Sequence, residues 1–289
     1  MKDKKVKPIN SDTKWGTYEW FTHLASNSAD SAVGYFSHNL NGYQLFRHEE
    51  LVNFISNETQ DIKLDDVVDV GCGGGHFLDL LNSRLDFKNP KGIDFIEPVL
   101  NQARIDFPDI DFIKSSLPNV PLEHNSQDMI IVSEVLYYLD KENKKESLDS
   151  IYRSIKPGGY IFFTSTLGKN YFTDQTAIDL IESKFKIKKV KFLHSKLYSF
   201  INFLPYRIVR FSELLKRNEL PGSELNQKIY NKYKPFFSNV FSIFFLKLIS
   251  KLCLILIASK KLPKICEIIA RFMGKKLRGN IIILGQKNI

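Results

Sequence analysis

The densest chemistry in the chain lies in eleven residues, Val67-Val-Asp-Val-Gly-Cys-Gly-Gly-Gly-His-Phe77. The β-branched start predicts a buried strand, the glycines a sharp turn, and the residues from His76 a helix. Gly71 and Gly73 permit close approach of the backbone to a ligand, and the first turn of the following helix offers unpaired N–H groups. A dinucleotide fingerprint, G-x-G-x-x-G, needs glycine three places after Gly73; His76 stands there, so that fingerprint fails. Asp69 adds a carboxylate inside the strand end. A second carboxylate, Asp94, follows Gly71 by 23 residues in Gly92-Ile-Asp-Phe-Ile, at the end of another expected strand. A carboxylate so placed can accept both hydroxyls of a nucleoside ribose, or else cap the helix that starts near Pro98.

Asp69-x-Gly71-x-Gly73-x-Gly75 resembles the first motif of the class I S-adenosylmethionine (SAM) dependent methyltransferases, and Gly92 to Arg104 resembles their second. The run from Phe112 to Tyr138 resembles the stretch in which these enzymes hold adenine and enter the fourth strand through an aspartate, here Asp128. The likeness covers residues 65 to 165 and, loosely, the final hairpin. It implies SAM as cofactor, held by Asp69, Gly71, Cys72, Gly73, Gly75, Asp94, Phe95, Ser116, Leu117, Ser133 and Glu134. Asp69 would pair with the methionine ammonium, Asp94 with the ribose, and Arg47 would reach the methionine carboxylate. Ser116 departs from the family's usual Asp, and a hydroxyl accepts from the adenine amine more weakly than a charged group. Asp128 opens its strand away from the ligand edge and is expected to be structural.

Transfer from a sulfonium asks the enzyme to align the acceptor, exclude water and keep positive charge away from the methyl. A hydroxyl acceptor also gains from a base, and histidine suits neutral pH. His23 and His38 are the base candidates, because they sit in an aromatic N-terminal segment expected to cover the cofactor edge. Many relatives carry His at the position of Tyr138; a phenol with a pKa of about 10 is a poor base, so Tyr138 is a candidate hydrogen-bond partner and, with Tyr137, aromatic wall.

These residues need a frame. Val67–Val70, Lys91–Phe95, Ile110–Ile113, Met129–Val132 and Tyr160–Thr164 read as buried strands, and His76–Leu85, Pro98–Ile105 and Glu142–Ile155 as the helices between them. Lys156-Pro-Gly-Gly reads as a loop. The pattern predicts an α/β, Rossmann-like, doubly wound sheet, mostly parallel. Phe185–Leu193 and Asn280–Gln286 complete it as an antiparallel edge hairpin, which makes residues 195 to 279 a long helical insertion. The expected domains are an N-terminal helical lid (1–58), a SAM-binding core (59–194), a basic hydrophobic helical cap (195–279) and a last core strand (280–289).

The 289 residues are 43% hydrophobic and 25% charged, a globular composition that excludes disorder, collagen and a disulfide scaffold. Three cysteines without metal-ligand spacing predict no metal site and a reducing, cytoplasmic compartment. Residues 195 to 279 hold 17 Lys+Arg against 4 Asp+Glu, within a chain of net charge +9. Such a segment suits a partner with negative charge, either a membrane surface or an anionic substrate. Phe236–Ser259 is almost continuously apolar, but Lys247 and Lys251 would cost roughly 2.5–3.5 kcal/mol each at a bilayer centre, which argues against a span. A buried cap over the active site or a basic patch on an anionic membrane, giving a peripheral membrane location, are the two readings. The acceptor is expected to be a small molecule or glycan, methylated on oxygen. Two rivals stand beside it: a lipid or lipid-linked acceptor, and a SAM-binding protein without transferase activity. No (Asn/Asp)-Pro-Pro-(Tyr/Phe) follows the fourth strand, where Ser133-Glu-Val-Leu stands, so a nucleic-acid acceptor is not expected.

Overall fold

The computed structural model describes residues 42–217, 224–237 and 239–289. The described residues fall into two compact units, one of residues 47–196 with 267–289 and the other of residues 42–46 with those of 197–266.

The first unit is a seven-stranded sheet. β1 (Asp66–Val70), β2 (Asn89–Asp94), β3 (Asp111–Lys114), β4 (Gln127–Ser133), β5 (Ile155–Thr166), β6 (Lys186–Leu193) and β7 (Asn280–Gln286) lie in the order β3-β2-β1-β4-β5-β7-β6. The first five strands are parallel neighbours, and β7 runs antiparallel between β5 and β6. Its helices are α1 (Gly42–Glu58, shared with the other unit), α2 (His76–Leu85), α3 (Glu97–Asp106), α4 (Lys141–Ser154) and α5 (Asp174–Glu182).

Side chains alternate between faces along a strand, and here both faces are buried. Val67, Met129, Ile131 and Phe162 join one apolar cluster with Leu51 and Ile55 of α1 and Leu78 and Leu81 of α2. Val68, Ile130, Val132 and Phe163 join another with Ile151 of α4 and Ile181 of α5. This is why the strands read as continuous apolar runs. Strand order reverses between β1 and β4, so the crevice beyond their carboxyl ends is where a ligand is expected to lie.

The Lys156-Pro-Gly-Gly segment differs from its expected loop. It forms the entry of β5, with a register shift opposite Gln127 and Met129. Gly158 takes a φ of 77°, open to glycine without strain, and Lys156 is anchored to Asp128 Oδ1 at 2.7 Å. Asp128 Oδ2 accepts the backbone N–H groups of Asp65 and Asp66, tying β4 to the entrance of β1 at the edge opposite the ligand crevice.

The insertion is helical: α6 (Lys196–Arg217), α7 (Glu224–Tyr233), α8 (Val240–Ala258) and α9 (Lys261–Met273), the last crossing back into the sheet unit. Tyr230 of α7 packs on Leu214 of α6, and Val209 of α6 packs on Cys253 and Ile257 of α8.

Candidate functional site

The glycine turn after β1 uses three left-handed residues, Gly71, Gly73 and Gly75, with φ of 80°, 53° and 77°. Each has a separate reason to lack a side chain. A Cβ on Gly71 would lie 2.2 Å from Val135 Cγ2, and one on Gly75 would lie 2.6 Å from the Phe112 ring. At Gly73 a Cβ would meet nothing within 4 Å. The first and third glycines serve packing, whereas the second leaves open space that a ligand can use. Cys72 is buried beside Gly92, and burial pushes its thiol well above the ordinary range, so it packs and does not react.

Asp94 fixes the turn. Its Oδ2 accepts the Gly73 N–H at 2.9 Å and its Oδ1 the Ile96 N–H at 3.0 Å. A carboxylate has about four acceptor positions, so these bonds do not exhaust it. Burial raises its pKa, opposed by the N–H groups of Ile96, Gly73 and Phe95. Asp94 thus orders the backbone leading into α3, although the helix itself has Ile96 at its N-cap and no side-chain cap.

Asp69 is the most perturbed acid of the crevice. It is fully buried, and its pKa is pushed up to about 7, first by desolvation and then by the neighbouring Asp94, against the pull of Arg47. Its Oδ1 is buried without a hydrogen-bond partner. Buried polar atoms are nearly always satisfied, so such an orphan calls for an explanation. A ligand ammonium next to the glycine turn would supply one, and this fits the cofactor that the motif implies.

At the end of β4, Glu134 takes a left-handed φ of 61°. The strain re-aims its carboxylate, which accepts Arg47 Nη1 at 3.1 Å, Thr166 N–H at 2.9 Å, Thr166 Oγ1 at 2.7 Å and Asn280 Nδ2 at 3.2 Å. Arg47, expected at a methionine carboxylate, is held on α1 by this ion pair. Thr166 and Asn280 are residues that sequence reasoning missed. The only signal was position, since each lies at the end of a strand that points to the crevice.

The other expected residues surround this centre or fall elsewhere. Phe95 is half-buried just beyond Asp94, Ser133 closes β4, and Ser116 is exposed with Leu117 half-buried after β3. Tyr138 packs against Tyr137 with ring centroids 4.5 Å apart, and Tyr137 meets Tyr171 edge-on at 5.0 Å, an aromatic wall after β4. His76 opens α2 with its ring against Phe107. His23 and His38 lie outside the described residues.

A family profile described as a methyltransferase domain matches residues 68–163. Among curated proteins, the chain is 31% identical over 138 residues to a ubiquinone biosynthesis O-methyltransferase of Shewanella pealeana, covering 46% of this chain and 53% of that one. It is 35% identical over 72 residues to a ubiquinone/menaquinone biosynthesis C-methyltransferase of Campylobacter jejuni, covering 23% and 31%. The chain thus spans between about a third and a half of the length of these relatives. The structure is similar to the N-methyltransferase NodS of Bradyrhizobium japonicum in complex with S-adenosyl-L-homocysteine, with a TM-score of 0.52, 18% identity and coverage of 61% and 90%.

Proposed function

We propose, from the premise that the core of this chain belongs to the class I SAM-dependent methyltransferases, that the whole protein methylates a small-molecule acceptor on oxygen. The observation that carries the cofactor reading is the buried Asp69 with an unpartnered Oδ1 beside the open backbone at Gly73. Asp69 receives the methionine ammonium, and the remaining lone pairs of Asp94 receive the ribose hydroxyls. Ser116 accepts from the adenine amine, and Phe95 and Leu117 flank the base. SAM, when bound, supplies an electrophilic methyl group. His23 or His38 takes the acceptor's hydroxyl proton, with Tyr138 as a hydrogen-bonding partner.

Two of the relatives are named for quinone biosynthesis, one as an O- and one as a C-methyltransferase, and the longer match is the O-methyltransferase. The acceptor class we favour is accordingly a phenol-type hydroxyl on an apolar small molecule, in the cytoplasm. A second reading, a lipid or lipid-linked acceptor, is favoured by the apolar surface of the insertion treated below. Incubation with methyl-labelled SAM, followed by mass spectrometry of phenolic and lipid-extract acceptors, separates the two. Label found on neither, with S-adenosylhomocysteine still bound, would leave a cofactor-binding protein without transferase activity.

A further inference from the structure

Among the described residues, 24 large apolar side chains are exposed, and 19 of them lie between Phe200 and Met273. Chance does not concentrate exposure in this way, and a soluble protein of this size rarely tolerates it without a use.

The pattern on single helices is more specific. On α8 the residues Leu246, Ser250, Cys253 and Ile257 are buried, spaced as one helical stripe. At 100° per residue the opposite stripe is Phe241, Phe244, Phe245, Leu248, Leu252 and Ile255, all exposed, with Phe241 at 88%. A surface helix of a soluble protein carries polar residues on that side. Only 22% of the apolar window Phe241–Ala258 is buried. Lys247 and Lys251, both exposed, fall along one border of the apolar stripe, where their stems can lie on it while their ammonium groups stay in water. Helix α9 repeats the arrangement by itself. Ile265, Ile268, Ile269 and Phe272 form an exposed stripe, with Phe272 at 89%, and Lys261, Lys264 and Arg271 are exposed around it.

We propose that the exposed stripe of α8 inserts into the interfacial layer of an anionic phospholipid bilayer, with Lys247 and Lys251 on the headgroups, so that the protein docks on the membrane without spanning it. Charge selects the occupant. The segment from 195 to 279 carries 17 Lys+Arg against 4 Asp+Glu, which favours a negatively charged lipid surface and sets two copies of the same segment against each other. The buried stripe of α8 argues for lying on the membrane over crossing it, because the helix already has a protein partner on one side. This inference deepens the reading of an apolar acceptor but does not depend on cofactor binding.

The test is flotation of the full chain with vesicles of phosphatidylcholine alone or with about one-third phosphatidylglycerol, at low salt and at about 0.5 M salt, where screening is nearly complete beyond a few ångströms. The expected result is binding to the anionic vesicles that weakens but persists in high salt. Phe244→Glu with Leu248→Glu should lower it at least tenfold, and Lys247→Gln with Lys251→Gln about fivefold per lysine removed. All four positions are exposed, so circular dichroism and S-adenosylhomocysteine calorimetry should match the parent. Absent flotation at low salt, binding abolished by salt, or binding indifferent to the glutamates would each overturn insertion. So would a dimer in ultracentrifugation that the glutamates dissociate, or resistance to alkaline carbonate extraction, which would mean a span. Flotation without calorimetric heat would instead remove the cofactor reading and leave the docking surface standing.

Discussion

Asp69 is buried without a partner for one oxygen, and that oxygen has opposite value in the free and the liganded protein. Its folded pKa of about 7 stands above the ordinary 3.8, so ionisation is disfavoured by folding. Stability from this group is therefore full below the ordinary value and is lost as pH rises through about 7. Binding a cationic ammonium reverses the sign, because it requires the ionised form. S-adenosylhomocysteine affinity is expected to fall about tenfold per pH unit below 7, with a proton released on binding at pH 6, as measured by calorimetry in buffers of different ionisation enthalpy. Asp69→Asn should flatten that profile, weaken binding, and raise the melting temperature of the free protein at pH 8. An unchanged slope would remove Asp69 from the site. The neighbouring glycines separate packing from binding in the same way. Gly71→Ala and Gly73→Ala both place a side chain at positive φ, at about 1–2 kcal/mol. Only the first also collides with Val135. Gly73→Ala should leave a folded protein that no longer binds the ligand, and Gly71→Ala a protein destabilised beyond that cost, with denaturant titration and calorimetry as readouts. Asp94→Ala should weaken S-adenosylhomocysteine by about 1.5–3 kcal/mol, since it removes charged hydrogen bonds and also releases the Gly73 turn.

Between elements, the Glu134 carboxylate joins α1 through Arg47, β5 through Thr166 and β7 through Asn280, so one side chain gathers strand ends far apart in sequence. The Arg47–Glu134 pair is largely buried, with side-chain exposures of 10% and 17%. Removing one member strands the other charge, and Glu134→Ala should cost about 3 kcal/mol by urea titration, with Glu134→Gln costing less because it still accepts. Equal stability of all three proteins would show the pair to be idle. These elements also mark how far the sequence could be read. The strands of the sheet announced themselves because burial on both faces leaves uninterrupted apolar runs, and β6 and β7 match their expected limits at Leu193 and at Asn280 and Gln286. The positions of Asp69 and Asp94 were legible because a place at a strand end is local. The partners of Glu134 were not, since no spacing rule brings residue 47 to residue 134 or residue 280 to residue 166. Lys156-Pro-Gly-Gly misled for a related reason. Its glycines fit a loop as well as a bulged strand, and the contact that decides, Lys156 to Asp128, is long-range.

For the molecule as a whole, the sheet is a continuous frame carrying a helical segment inserted between β6 and β7. Among the described residues, the insertion bears most of the exposed large apolar side chains, so surface behaviour and chemistry are separable properties of this chain. Replacing the exposed aromatics Phe241 and Phe244 by serine should lower binding to anionic vesicles in flotation while leaving S-adenosylhomocysteine affinity within about twofold. The same connectivity governs the order in which the protein can be made. β7 is synthesised after every other strand, yet it lies inside the sheet, with β5 on one side and β6 on the other. A nascent chain emerging from the ribosome therefore holds β5 with a bare edge while the whole insertion is translated, and β6 has no neighbour in the sheet at all. Such an edge invites pairing with foreign strands. Until residues 280–286 leave the exit tunnel, Glu134 also lacks the amide of Asn280, so the crevice is completed last. A transcript cut just before codon 280 should yield a product that accumulates on chaperones or aggregates, although it encodes Gly71, Gly73, Gly75, Asp69 and Asp94.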